Sequence, residues 1–190
     1  MVHKHQTEVS VTNSGTSVTK WIPPSSPYYS ICCDASFKSV NNAEHFGWGM
    51  IGRDFAGQFI RDECTYANGI VNAEEAEYKG LIQAMQVAEN LELQMVCFEL
   101  DAKLVIKAVN GDIQAVAWQN QFLILEIRSF LRKHPLWVCK FLTRKFNKPA
   151  DRLARHARNL RVSNTWHAYP PNFIASVILE EAANYVHNYS

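Results

Sequence analysis

The sequence predicts an α/β domain built on a five-stranded mixed sheet, three antiparallel strands and then two parallel ones, flanked by helices and followed by a C-terminal helix. Two observations carry this. Three strand-length runs joined by short turns come first, as in an antiparallel meander. From residue 73 onward the apolar period lengthens to about 3.6 residues, and helical stretches alternate with short apolar runs, the pattern of crossover connections.

Each element has its own reason. Residues 1–19 are polar and rich in Ser and Thr, and read as a flexible leader. Trp21-Ile22-Pro23-Pro24-Ser25-Ser26-Pro27 is extended, because proline fixes φ and disfavours helix at the residue before it. Tyr28 to Phe37 is apolar up to Asp34, Phe46 to Arg53 is interleaved with glycines, and Gln58 to Tyr66 follows the turn Asp54-Phe55-Ala56-Gly57. A helix is expected over Ala73 to Leu93, a buried parallel strand over Met95 to Leu100, and a short helix over Ala102 to Val109, closed by Asn110-Gly111. Trp118 to Lys133 reads as a helix and Trp137 to Leu142 as a strand. Lys148 to Leu160 reads as a helix with Pro149 in its first turn, and Ile174 to Val186 as a terminal helix. The domain proper is expected over 20–160, with 161–190 as an extension. The five Trp read as core or edge packing, with Trp118 stacking on nucleic acid as the alternative.

Composition narrows the classes. The chain has 190 residues, 47% apolar and 19% charged, enough for one packed core and incompatible with a disordered or collagen-like chain. The five Cys are odd in number, without a C-x-x-C spacing, and sit mostly in apolar runs. They read as buried free thiols of an intracellular, reducing compartment, nucleus or cytoplasm. No apolar signal segment or membrane-spanning run is visible. Net charge is only +1, but it is segregated. From Arg132 to Arg161 there are ten Lys or Arg and one acid, Asp151; from Asp62 to Asp101 there are nine acids and one Lys. The basic stretch suggests a polyanionic partner; a solvated helix face is the plainer alternative.

Four acids stand out by position. Asp34 ends the apolar first strand, Asp101 directly follows Val96-Cys97-Phe98-Glu99-Leu100, and Asp151 sits in the first turn of a basic helix. At 100° per residue, Glu77 falls within about 40° of Leu81, Ala84 and Ala88, inside the apolar stripe, whereas Glu75 falls roughly opposite and should face water. Taken singly, each acid reads as a cap, a turn residue or a surface charge. Together, two at strand ends and one in an apolar stripe suggest a shared site.

These residues resemble the ribonuclease H fold, and specifically the plant ribonuclease H-like domain of non-LTR retroelement reverse transcriptases. The likeness runs from Trp21-x-Pro-Pro through Cys33-Asp34-Ala35-Ser36-Phe37, Gly47-Trp48-Gly49, Ala76-Glu77-Tyr78-Lys79-Gly80-Leu81 and Glu99-Leu100-Asp101. It ends at Arg144-x-x-Asn147-x-x-Ala150-Asp151-x-Leu153-Ala154. It covers about residues 20–160.

The resemblance implies a metal-dependent endonuclease that hydrolyses the RNA strand of an RNA/DNA hybrid. Asp34, Glu77, Asp101 and Asp151 would be both the catalytic residues and the ligands of two Mg²⁺ ions, with Mn²⁺ as an alternative and Asp34 bridging them. Ser36, Arg144, Lys145, Asn147, Lys148 and Arg152 would contact the nucleic acid. A monomer is expected, without membrane attachment, either free or as part of a longer reverse transcriptase polyprotein. The family commonly carries a His three residues before the Arg of its last motif; here that position is Phe141. This keeps a second reading open, a weak or inactive nucleic-acid-binding domain that retains the fold.

Overall fold

The structure is a computed structural model that describes residues 21–40, 43–111 and 116–186; the expected leader lies outside them. β1 (Tyr29–Val40), β2 (Ala43–Arg53) and β3 (Phe59–Ala67) form the antiparallel meander. The tip between β2 and β3 is closed by Asp54, whose Oδ1 accepts from Ala56 N and Gln58 N, and by Gly57 at φ +77°. α1 (Ala73–Asn90) starts at Asn72, whose side chain accepts from Glu75 N at 2.8 Å. β4 (Val96–Leu100), α2 (Lys103–Val109), α3 (Gln121–Lys133), β5 (Val138–Phe141) and α4 (Lys148–Leu160) follow. β6 (Asn164–Trp166) and α5 (Asn172–Val186) complete the described chain.

The sheet order is β5-β4-β1-β2-β3-β6, with β4 and β5 parallel to β1. Five strands were expected; the described residues form six. β6 pairs antiparallel with β3, Asp62 opposite Trp166 and Cys64 opposite Asn164. Three residues of mixed polarity give no period-two signal of their own; the exposed edge of β3 makes them a strand.

Side chains alternate between two cores. Ile31, Cys33, Met50 and Phe98 pack under α1, α2 and α3, whereas Cys32, Ile51 and Cys64 pack under α4 and α5, where Leu153, Ala157, Ile174 and Ile178 meet them. β6 and the first turns of α5 therefore join the same sheet and core as the rest. All five Cys are free and buried, as expected. The proline-rich lead-in is pinned by Trp21, whose Nε1 donates to Glu99 Oε2 at 3.1 Å and whose ring lies 4.1 Å from the Arg53 guanidinium. Trp118 does not pack: it is 82% exposed. Glu75, expected to face water, is half-buried; it pairs with Lys79 at 2.8 Å and accepts from Val71 N. Its backbone lies in the first turn, where an acid can close back onto free amides, a role the wheel does not register.

Among the described residues, no helix is long and apolar enough to cross a membrane.

Candidate active site

Asp34 was expected to end the first strand, but β1 runs on to Val40 because its pairing with β2 continues to the hairpin; the four carboxylates are brought to the middle of β1, where its parallel pairing with β4 stops, by three close approaches. Asp34 lies on β1 opposite Gly49 of β2. A Cβ on Gly49 would stand 2.5 Å from Ala154 N and 2.6 Å from Ala150 O, so α4 rests directly on the strand backbone there. That seat carries the first turn of α4, with Asp151, toward Asp34. On the other core, the Cβ position of Gly80 lies 3.5 Å from Ala35 Cβ and 3.8 Å from Asp34 O. Gly80 thus lets α1 lie flat on β1 one turn beyond Glu77. Asp101 arrives by register: β4 runs parallel to β1 with Glu99 beside Cys32, so the residues two positions on are Asp101 and Asp34.

The electrostatics agree with this placement. Asp34 is buried, and its carboxyl is held well above the usual range, first by burial and then by the negative charges of Glu77, Asp101 and Asp151. Burial, with the charge of Asp101 added, pushes Glu77 up to about 8, and Arg144 opposes the shift. Asp151 is held by cations on both sides, Arg155 Nε at 3.0 Å and Arg144 Nη2 at 3.8 Å from its Oδ1.

The expected nucleic-acid contacts fall into two groups. Arg144, Lys145 and Lys148 are exposed around the N-terminus of α4. Asn147 is instead buried and acts as a clasp: its Nδ2 donates to Cys33 O at 2.9 Å and to Asp101 Oδ1 at 3.2 Å, tying α4 to the middle of β1 and the end of β4. Ser36 is buried and accepts from Arg158 Nη1 at 2.7 Å, and Arg152 donates to Phe173 O at 3.1 Å. Arg155, which was not among the expected contacts, bonds Asp151 directly, and Arg158 fixes Ser36. Phe141, at the end of β5, is 38% exposed and carries the Lys103 ammonium 5.0 Å from its ring centroid.

The donor set suits a hard cation. At Asp34 and Glu77 it offers carboxylate oxygens whose ionised forms are disfavoured by burial and neighbouring acids, and beside Asp101 it leaves Asn147 Oδ1 buried without a hydrogen-bond partner. Among the described residues, no three His, Cys, Asp or Glu side chains stand already closed around one cation position.

The buried acids fix a pH dependence. Unfolded, Glu77 ionises near 4.5; in the folded metal-free protein it ionises at about 8. Between these values the folded chain holds the extra proton, so this stabilisation is complete below about 4.5 and is lost as pH rises to about 8. The thermal midpoint in EDTA is expected to fall from pH ~5 to pH ~8, and Glu77→Gln to flatten part of that fall. Asp62, pushed up to about 8 by burial, contributes in the same direction and remains in the variant. An equal slope in wild type and Glu77→Gln would mean that Glu77 is not so buried.

A mixed sheet in this order, with carboxylates gathered around the middle of its first strand, defines a ribonuclease H-like domain. The family model described as reverse transcriptase-like matches residues 32–157, and the chain belongs to that family. A provisionally named hydrolase of Enterococcus faecalis, EbsB, is 33% identical over 99 residues, which is 51% of this chain and 73% of that protein. The structure of ribonuclease H1 from Halobacterium salinarum is similar with a TM-score of 0.59 at 20% identity, over 70% of this chain and 98% of that one. A compost-derived ribonuclease H1, LC11, solved in complex with an RNA/DNA hybrid, is similar with a TM-score of 0.62 at 20% identity, again over 70% and 98%. At these identities the two structures speak for the fold.

Proposed function

We propose that the protein is a divalent-metal-dependent endonuclease that hydrolyses the RNA strand of RNA/DNA hybrids. The observation that carries this is the convergence of Asp34, Glu77, Asp101 and Asp151, two of them with carboxyls held far above their ordinary range by burial and mutual repulsion. The family match, a relative named as a hydrolase and a structural neighbour bound to a hybrid all support it.

Asp34, Glu77, Asp101 and Asp151 would hold Mg²⁺, which when bound supplies Lewis-acid polarisation of the scissile phosphate and acidifies the attacking water. The protein's own residues keep those ligands in place. Asn147 fixes Asp101, the Arg144 and Arg155 cations restrain Asp151, and Gly49 and Gly80 bring both flanking helices onto β1. Arg144, Lys145 and Lys148, exposed at the start of α4, would hold backbone phosphates of the hybrid. The test is cleavage of a labelled hybrid, beside duplex DNA and duplex RNA, with Mg²⁺ or Mn²⁺. Loss of the RNA strand from the hybrid alone is expected; an intact hybrid in both metals overturns the reading.

Phe141 favours a second reading, a domain that binds hybrid without cutting it. Its exposed ring stands where the resembled family carries an imidazole, and it can neither accept nor donate a proton. Phe141→His is expected to raise turnover, by less than the 10²–10⁴-fold typical of a full general acid–base group. A wild type that binds hybrid tightly but cuts in neither metal, with Phe141→His equally inert, would establish the binding domain.

A further inference from the structure

We propose that Lys38, His45, Arg158 and Arg161 form a pocket for one backbone phosphate of the nucleic acid, a second anchor beside the carboxylate site; this deepens the nuclease reading and rests on it. A cavity of about 200 Å³ is lined by these four side chains and Asn159. Its lining holds three permanent cations and an imidazole, and no carboxylate. Arg158 is held by neutral acceptors, Ser36 Oγ at 2.7 Å, Phe37 O at 3.5 Å and Asn159 Oδ1 at 3.0 Å, so its charge stays uncompensated while its position is fixed. His45 is oriented by Tyr66, Nδ1 to Oη 2.9 Å, and its Nε2 lies 3.4 Å from Arg161 Nη2. Like charges gathered around a cavity repel each other, and an anion in the cavity removes that cost.

The plainer account is that cations at the C-terminal end of α4 offset the helix dipole. That covers Arg158 and Arg161. It leaves out Lys38 and His45, which come from β1 and β2 as a cross-strand pair.

Location selects the ligand. Asp34, Ser36 and Lys38 alternate onto one face of β1, so Lys38 lies about 13 Å from Asp34 along the strand. α4 covers that face between Asp34 and Ser36, and the pocket opens at the C-terminal end of the helix; a duplex that leaves the carboxylate site and runs along α4 brings a backbone phosphate there, and a fixed contact sets its register without reading sequence.

The experiment measures hybrid affinity against salt in EDTA, so that no hydrolysis intervenes, for wild type, the double variant Lys38→Ala/Arg161→Ala, and Arg132→Ala as a cation on α3 outside the pocket. Circular dichroism melts check that each is folded. The double variant should lower the magnitude of the log–log slope by about 0.9, the share of one lost phosphate contact, and Arg132→Ala should leave it unchanged. An unchanged slope in the double variant overturns the proposal, even if inorganic phosphate shifts the His45 ring resonances, because the pocket then takes free phosphate instead of backbone. An equal fall in Arg132→Ala also overturns it, since the attraction is then diffuse. A hybrid that is bound with the expected slopes but never cut sinks the nuclease reading and leaves the pocket standing.

Discussion

Asp34→Asn is expected to abolish metal-dependent hybrid cleavage, by roughly 10³-fold or more, equivalent to about 4 kcal/mol of transition-state stabilisation. The amide keeps the shape of the carboxylate but carries no charge to hold a dication. The same substitution should raise the thermal midpoint of the metal-free protein above wild type. Asp34 is buried beside three other acids, so removing its charge relieves repulsion at the most crowded position. Cleavage assays and melts in EDTA check the two halves separately. A variant that cuts at the wild-type rate would remove Asp34 from the site. A destabilised variant would mean that the carboxyl has a structural partner.

Gly49→Ala is expected to cost about 3 kcal/mol or more in stability and to abolish cleavage with it. The added Cβ would meet Ala154 N and Ala150 O at 2.5 and 2.6 Å. Both are backbone atoms of α4, so no side-chain rotation relieves the clash and the helix must move. Because Asp151 rides on that helix, the loss should reach the chemistry as well as the fold. Gly52→Ala is the control on the same strand: its nearest neighbour would be Arg61 O at 3.4 Å, and a cost below about 1 kcal/mol is expected. Urea midpoints with unchanged m-values distinguish the two, and equal costs would show that α4 does not rest on Gly49.

Most of the fold was legible because its elements carry strong local signals. The bounds expected for α4, Lys148 to Leu160, coincide with those observed, since Pro149 pre-sets the first turn. The helix expected from Ala73 ends at Asn90 instead of Leu93, and its cap at Asn72 lay outside the periodic stripe that revealed it. β6 was invisible because three residues cannot show a period. The four acids were legible through their odd positions and through the resemblance. The clasping role of Asn147, the fixed Arg158 and the buried Trp21–Glu99 bond were not, because each joins residues far apart in the chain.

The sequence by itself determined which segments become strands and helices, which thiols are buried, and which four carboxylates are candidates for a site. These follow from local periodicity, proline and glycine placement, and charge that has no business in an apolar stripe. Only the tertiary structure decided how closely the acids meet, that a sixth strand closes the edge of the sheet, and that Lys38 and His45 face Arg158 and Arg161. Those outcomes depend on backbone approach at Gly49 and Gly80 and on strand register, and close packing between distant segments has no local signature in the chain.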